Sequence, residues 1–384
     1  YKNSIFIKKY FGSVFIKRQQ KQDNFVSLIF LVIKISFSLL AIISLIKLGY
    51  SSKVRLTRLR EIKDAFLYEK YRFNVLTDKF DDLLSSKGEQ GFMKDQGLHM
   101  HIIEAKGGSN VRRILAAGQV GYALGDSSHP LVLSGKGRSS KILMATDNRC
   151  SYANIIVQKE LYDKGYTTVQ KLSELKKDDG SKPVIAATRI GSGTYIYGTY
   201  VLQQYGVNDK FQWIGGGGSK TMLGGLKTGK FDAIMAVPAW QFVAEDDGYG
   251  KAIYDVASLE TWNEAFGGAI PTTIVYVLEN TILDNPEITQ KYINGMYQAM
   301  QWIKESSVDQ IYNLVGEEYM SGFKAEQAKR EIAYYKNIFN YEGSVDKTDF
   351  DNGAKVWFRD FTKIKRQNYS DVVDMSFLNK SQKS

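Results

Sequence analysis

Cysteine is nearly absent from this 384-residue chain. Cys150 stands alone, which excludes an internal disulfide and any multi-cysteine metal site. Histidine is almost as scarce, with His99, His101 and His129. On a strand, His99 and His101 would share a face, but no acid or cysteine stands at a matching spacing, so they read as surface side chains. Acids are missing from the first sixty residues, where Asp23 faces twelve Lys/Arg. The net charge of +10 therefore belongs to the N-terminal arm, and the remainder is close to neutral. A nucleic-acid surface would spread its basic residues over a folded face with interleaved aromatics, so no nucleic-acid partner is expected. Glycine is missing from residues 13–87 except at Gly49, then abundant from Gly88, which puts a boundary at SSKGEQG, residues 85–91.

Catalytic sets are missing as well. Gly191-Ser192-Gly193 lacks the outer glycines of a nucleophile elbow. Cys150 has no histidine placed as its base and reads as a buried structural residue. Asp81-Asp82 and Asp246-Asp247 read as solvated pairs. His129, before Pro130, has no partner in sequence. The chain is read as a binding or structural protein, not an enzyme, with no cofactor and no metal.

What is present begins with an apolar run, FVSLIFLVIKISFSLLAIISLI at residues 25–46, whose one charge is Lys34. At ~1.5 Å per residue this spans a ~30 Å hydrocarbon core. With basic flanks on both sides and no small-residue cleavage site, it reads as an uncleaved transmembrane anchor in contact with membrane lipid, preceded by a basic segment, 1–24. Residues 47–87 read as a charged amphipathic helix or stalk, because Leu56, Leu59, Ile62, Phe66, Val75, Leu76, Phe80 and Leu83 recur at spacings near three and four.

From Gly97 onward short apolar strands alternate with helical stretches. Strands are expected at 100–105, 120–125, 141–146, 183–188, 211–215 and 231–237, and helices at 110–118, 195–205 and 219–228. Such alternation predicts an α/β fold built on mostly parallel sheet. Ligands in such sheets sit beyond the carboxyl ends of the strands. The loops there, GDSSHP, TDNRCS, TRIGSGT and VPAWQ, are rich in hydroxyls and glycine and poor in charge. In the third, the N–H groups of Ser192 to Tyr195 open a helix with Ser192 and Thr194 beside them. That geometry suits a small anion, or serves simply as a capped turn.

Four stretches, VGYALGDSSHPLVL, IGSGTYIYGTYVLQQYG, GGLKTGKFDAIMAVPAW and NPEITQKYINGMYQAMQWI, together resemble ABC-transporter solute-binding proteins of the nitrate/sulfonate/taurine and thiamine-precursor type, over about residues 88–345. The resemblance implies a two-lobed periplasmic-binding-protein-like (type II) fold that traps a small anionic or polar ligand and serves an ABC permease. It implies one lobe from 88–150 plus 258–384 and another from 151–257. It implies pocket residues Ser127, Ser128, Asn148, Gly191, Ser192, Gly193, Thr194, Pro238 and Trp240, with Trp240 stacking on a ligand or packing its loop. The family opens with a central strand before the position of GEQGFMKDQGL. The charged helix stands there instead, so the first lobe is expected to lack its middle strand.

The arm itself resembles small single-span membrane proteins of plastids and cyanobacteria, which implies a fusion and a thylakoid setting. A chain starting with Tyr reads as part of something longer. The alternative function is a linker subunit in a larger membrane complex, tying an antenna to a photosystem, with the binding fold as scaffold. An enzyme of pyrimidine-precursor synthesis ranks last, for want of histidines. The stretch WIGGGGSKTMLGG imitates a phosphate loop, but Ser219 separates Gly218 from Lys220 and puts the lysine out of register. Ser219 is expected to cap the following helix, and the glycines to form a rim of the cleft.

Overall fold

The computed structural model describes residues 73–77, 91–104, 108–320, 324–359 and 364–383. The basic segment 1–24, the apolar run 25–46 and the stretch 47–87, apart from 73–77, lie outside the described residues. Among the described residues no helix is long and apolar enough to cross a membrane. All the elements below belong to one unit, residues 71–384.

Two five-stranded sheets organise this unit. The first holds β1 (Phe73–Thr77), β2 (Met100–Glu104), β3 (Tyr122–Asp126), β4 (Ser140–Ala145) and the much later β10 (Thr273–Leu278), in the order β2-β1-β3-β10-β4. The second holds β5 (Asn154–Gln158), β6 (Val184–Ala187), β7 (Gln212–Gly215), β8 (Ala233–Ala236) and β9 (Gly250–Tyr254), in the order β7-β6-β8-β5-β9. Each sheet is parallel but for one strand. β10 runs antiparallel to β3 and β4, and β5 antiparallel to β8 and β9.

Two expectations are corrected here. The stalk helix does not run through Phe73–Thr77, which is a strand paired in parallel with β2, Val75 opposite Ile102, and with β3, Val75 opposite Tyr122. The first sheet therefore has its middle strand. Phe-Asn-Val-Leu-Thr is five residues long, too short for periodicity to separate helix from strand, and its pairing groups are claimed by open edges on both sides.

The helices cover both sheets. In the first sheet's share of the chain lie α1 (Phe92–Asp95), α2 (Gly108–Ala116) and α3 (Ser128–Gly135). The second sheet carries α4 (Lys159–Asp163), α5 (Val169–Ser173), α6 (Gly193–Gln204), α7 (Ser219–Lys227), α8 (Pro238–Asp246) and α9 (Leu259–Phe266). After β10 come α10 (Glu279–Asp284), α11 (Pro286–Glu305), α12 (Val308–Tyr319), α13 (Ala325–Ile338), α14 (Lys347–Trp357), α15 (Tyr369–Val372) and α16 (Ser376–Ser381). Helix α11 shows how local sequence sets packing. Pro286 starts it without losing a needed N–H, and Ile288, Tyr292, Ile293, Met296, Ala299, Met300 and Ile303 make one buried face. Tyr292 stacks on Tyr122 with centroids 4.4 Å apart. Gly295 lets α1 dock, since a Cβ there would lie 2.7 Å from the Met93 sulfur. With helices on both faces the central strands are apolar throughout, and β8, Ala-Ile-Met-Ala, is buried along its length.

The chain crosses between the sheets twice, at 146–153 and 255–272, and hydrogen bonds stitch the crossings together. Asp147 accepts from the Thr272 N–H at 2.7 Å, the Thr273 N–H at 2.9 Å and the Thr272 hydroxyl at 2.8 Å. Buried Arg149 donates to the carbonyls of Val256 (2.9 Å) and Ala257 (2.8 Å), and to Asn337 in α13 (2.5 Å). Asn154 Oδ1 accepts from the Val256 N–H at 2.9 Å.

Candidate ligand-binding site

The carboxyl ends of β3 and β6 meet across the gap between the sheets. Asp126 closes β3 and turns its Oδ1 to the Ser128 N–H at 2.8 Å, at the start of α3. Its Oδ2 accepts the hydroxyl of Tyr152, which stands in the first crossing. Gly193, the first residue of α6, lies against both. A Cβ there would be 3.0 Å from Asp126 Oδ2, 3.0 Å from Tyr152 Cε2 and 3.3 Å from the Tyr152 hydroxyl. The glycine here serves close approach and not turn geometry, since its φ is not in the left-handed region. Burial pushes the Tyr152 hydroxyl well above its ordinary pKa, with the Asp126 charge adding to it, so it stays a donor.

The loop after β6 is a small hydroxyl network. Thr188, Ser192 and Thr194 lie 2.9–3.0 Å from one another, and Ser192 Oγ also donates to the Arg189 carbonyl at 2.6 Å. Ser192 is the N-cap residue of α6, yet its side chain accepts no backbone N–H of the helix. Gly191 makes the turn with φ +80°. The next two loops start helices in the same way. Gly218 precedes α7 and Val237 precedes α8, and neither gives a side-chain cap. In contrast Thr168, Ser258, Ser307 and Asp346 cap α5, α9, α12 and α14. Strand order makes α7, α6 and α8 neighbours, so three helix starts without caps line one edge of the second sheet.

The glycine run belongs to this edge. Gly216 and Gly217 donate to the carbonyls of Ala187 and Thr188, at 2.7 and 3.0 Å, which lays their loop along the one after β6. Gly217 has φ +83°, and a Cβ on Gly216 would lie 2.2 Å from the Met222 sulfur. Gly218, not Ser219, is the N-cap, because the chain is still extended there and Ser219 is already helical.

The remaining site residues have different surroundings. Ser127 is fully buried, and its hydroxyl donates to the Pro271 carbonyl at 2.5 Å, tying the β3 loop to the second crossing. Ser128 is buried at the start of α3. Asn148 joins the crossings through its backbone to Ile338 and Ile270, while its half-buried amide has no hydrogen-bond partner among the described residues. Pro238 opens α8, and Trp240 packs against a second apolar cluster containing Ile156, Met222, Leu226 and Phe231. Thus Gly193 meets Asp126 and Tyr152, Ser192 and Thr194 meet Thr188, and Ser127 and Trp240 are engaged in packing.

Sequence reading missed Asp126 and Tyr152. Asp126 lies in GDSSHP, where the adjacent hydroxyls are the stronger signal in sequence. Tyr152 carried no local signal. His129 is buried, with Nδ1 3.0 Å from the Tyr276 hydroxyl, and burial lowers its pKa to about 4, so it is neutral near pH 7. Cys150 is fully buried, and burial pushes its thiol up, away from nucleophilic use. His99 and His101 are exposed, and among the described residues no three His, Cys, Asp or Glu side chains gather as a metal site. Two surface cavities of about 430 and 370 Å³ are lined by residues including Lys365 and Arg366, and Lys176 and Lys210. Neither contains a residue of this site.

The NMT1-like family model matches residues 81–312. No curated protein matches the sequence. Among solved structures, a periplasmic sulfonate-binding protein from Methylobacillus flagellatus KT aligns at 14% identity and TM-score 0.62, over 81% of this chain and 93% of that one. The nitrate-binding protein of Synechocystis PCC 6803 aligns at 13% identity and TM-score 0.62, over 82% and 88%. The alkanesulfonate-binding protein of Xanthomonas axonopodis pv. citri, bound to MOPS, aligns at 13% identity and TM-score 0.60, over 79% and 98%. These likenesses show the fold, an α/β periplasmic-binding-protein-like architecture.

Proposed function

We propose that this chain, which belongs to the NMT1-like family, is a solute-binding protein that holds a small anionic or polar metabolite between its two sheets and delivers it to an ABC permease. One observation carries the reading. Asp126, Tyr152 and Gly193 meet where the carboxyl ends of β3 and β6 face each other, the edge at which α/β sheets hold ligands. In this reading the first sheet with residues 88–150 and 258–384 is one lobe, and 151–257 is the other. Ser192, Thr194, Asn148 and the uncapped starts of α6, α7 and α8 supply hydrogen-bonding groups. Ser127, Ser128, Gly191, Gly193, Pro238 and Trp240 shape the walls. Sulfonates and nitrate, the ligands named for the structural neighbours, are candidates in this reading, beside pyrimidines. Residues 25–46 would anchor the binding unit to a membrane on the envelope side.

The test is thermal unfolding of the full chain with taurine, alkanesulfonates, nitrate, bicarbonate and pyrimidines. A true ligand raises the midpoint by several degrees through mass action. Flat curves for a folded protein across the panel end this reading.

One feature favours a second reading, a scaffold subunit of a membrane assembly. The C-terminal helices already hold the second sheet's layer, through Trp357 on Tyr197, Arg359 on the Ile196 carbonyl and Arg330 on Asp246. Stoichiometric co-purification with a large membrane complex, together with a flat ligand panel, would select it.

A further inference from the structure

We infer that Asp126 sets the ligand class of this cleft: it fills the start of α6 with the protein's own anion, excludes small oxyanions, and reserves the site for a ligand that brings N–H donors or positive charge. The inference rests on the solute-binding reading above. Its basis is the placement of one carboxylate between the first turns of two helices from different sheets. Asp126 Oδ1 takes the Ser128 N–H at the start of α3, and Oδ2 lies against Gly193 at the start of α6 while accepting from Tyr152. The end of α6 that would greet a sulfonate or nitrate already faces a carboxylate, and a second anion beside it meets like charge.

No direct ion pair neutralises that charge, although Arg112 in α2 acts electrostatically on the neighbouring His129. Asp126 makes no ion pair among the described residues, and its hydrogen-bond donors are a neutral N–H and a neutral hydroxyl. The nearest imidazole, His129, is buried against Tyr276. A carboxylate at the cleft without an ion pair calls for a ligand of the amine, amidine or amino-heterocycle kind.

The test compares the full-length wild type with Asp126→Asn, by thermal unfolding in nitrate and in methanesulfonate against chloride at equal ionic strength. The wild type is expected to show no anion-specific shift. Asp126→Asn is expected to gain one of several degrees, corresponding to at least tenfold tighter anion binding. Asp126→Ser provides the same comparison if the asparagine variant does not fold. Stabilisation of the wild type by either anion overturns the inference, as does an uncharged variant that gains nothing. Failure of the solute-binding reading shows differently, as a wild type flat to every compound of the wider panel, whether or not the Asp126 variants respond to anions.

Discussion

Trp357, the last residue of α14, donates its indole N–H to the Tyr197 hydroxyl in α6 at 2.9 Å, and both side chains are almost wholly buried. The bond joins a helix that follows β10 to one that belongs to the second sheet. Arg359 extends the junction, donating to the Ile196 carbonyl and Thr199 hydroxyl at 2.8 Å each and lying over the Tyr200 ring. The Tyr197 ring itself sits edge-on to Tyr152 at 5.8 Å, so this junction backs directly onto the Asp126 contact.

Tyr197→Phe keeps the ring and removes the acceptor of the Trp357 N–H. The expected cost is about 1–3 kcal/mol, the range for a buried donor that loses its partner. The check is the urea midpoint at unchanged m-value. An unchanged midpoint would mean that the junction contributes no stability.

Two helical glycines predict opposite signs. A Cβ on Gly198, in the middle of α6, would meet the Trp213 ring at 2.5 Å and the Met235 sulfur at 2.6 Å. Gly198→Ala is therefore overpacked, and the expected loss is about 1–3 kcal/mol, beyond the gain in helix propensity. Gly224, in α7, has nothing within 4 Å of a Cβ and no positive φ. Gly224→Ala should stabilise by about 0.5–1 kcal/mol by narrowing the unfolded ensemble. Chemical unfolding of both variants gives the signs directly, and a stabilised Gly198→Ala would contradict the packing described for α6.

Strands β6, β7 and β8 were legible because each lies between a glycine turn and a helix. IAAT, WIG and AIMA stand in that setting, and their observed bounds fall within a residue or two of the expected ones. β1 was hidden by its company: Val75 and Leu76 sit among charges at spacings that fit a helix equally well. β10 and β5 were hidden for another reason. Each is a β-branched run, TIVYVL and NIIVQ, but its antiparallel place depends on partners distant in sequence, which local pattern does not reveal. The site shows the same limit. Ser192 and Thr194 announced themselves by the turn they sit in. The Asp126–Tyr152 pair exists only because the crossings bring residues 126, 152 and 193 to one place.

Asp147 and His129 give opposed pH dependences over one window. Burial raises the Asp147 carboxyl from 3.8 to about 6, against the bonds from Thr272 and Thr273. The folded state thus holds that proton more tightly than the unfolded chain. Its contribution grows as pH falls from about 6 towards 4. Burial lowers His129 from 6.5 to about 4 despite the Asp126 charge, so the folded state resists protonation and stability is lost over the same fall. Each amounts to about 3 kcal/mol at full effect, and in the wild type the two offset one another. Asp147→Asn should leave the His129 loss exposed, with stability falling by up to about 3 kcal/mol more than in the wild type between pH 6.5 and 4. Guanidinium midpoints at the two pH values measure the difference. Parallel pH profiles for the two proteins would refute it.

Arg149 stitches the first crossing to the second and to α13. Its guanidinium reaches carbonyls in three places, Val256 and Ala257 in the second crossing and Asn337 in α13, and Asn337 in turn gives its amide to Ala257 at 2.9 Å. Burial lowers the pKa of this cation, yet the planar fork still offers separate N–H groups to carbonyls in fixed directions. A lysine ammonium is a point donor on a flexible stem and cannot serve all three at once. Arg149→Lys should therefore leave buried carbonyls unpaired and cost about 2–4 kcal/mol, at the upper end of single hydrogen-bond losses because more than one is lost. The crossings should also open more readily, so limited proteolysis at 146–153 and 255–272 should accelerate roughly in proportion to the stability lost. If Arg149→Lys unfolds at the wild-type midpoint and resists protease equally, the stitching of the crossings rests on Asp147 and Asn154 instead.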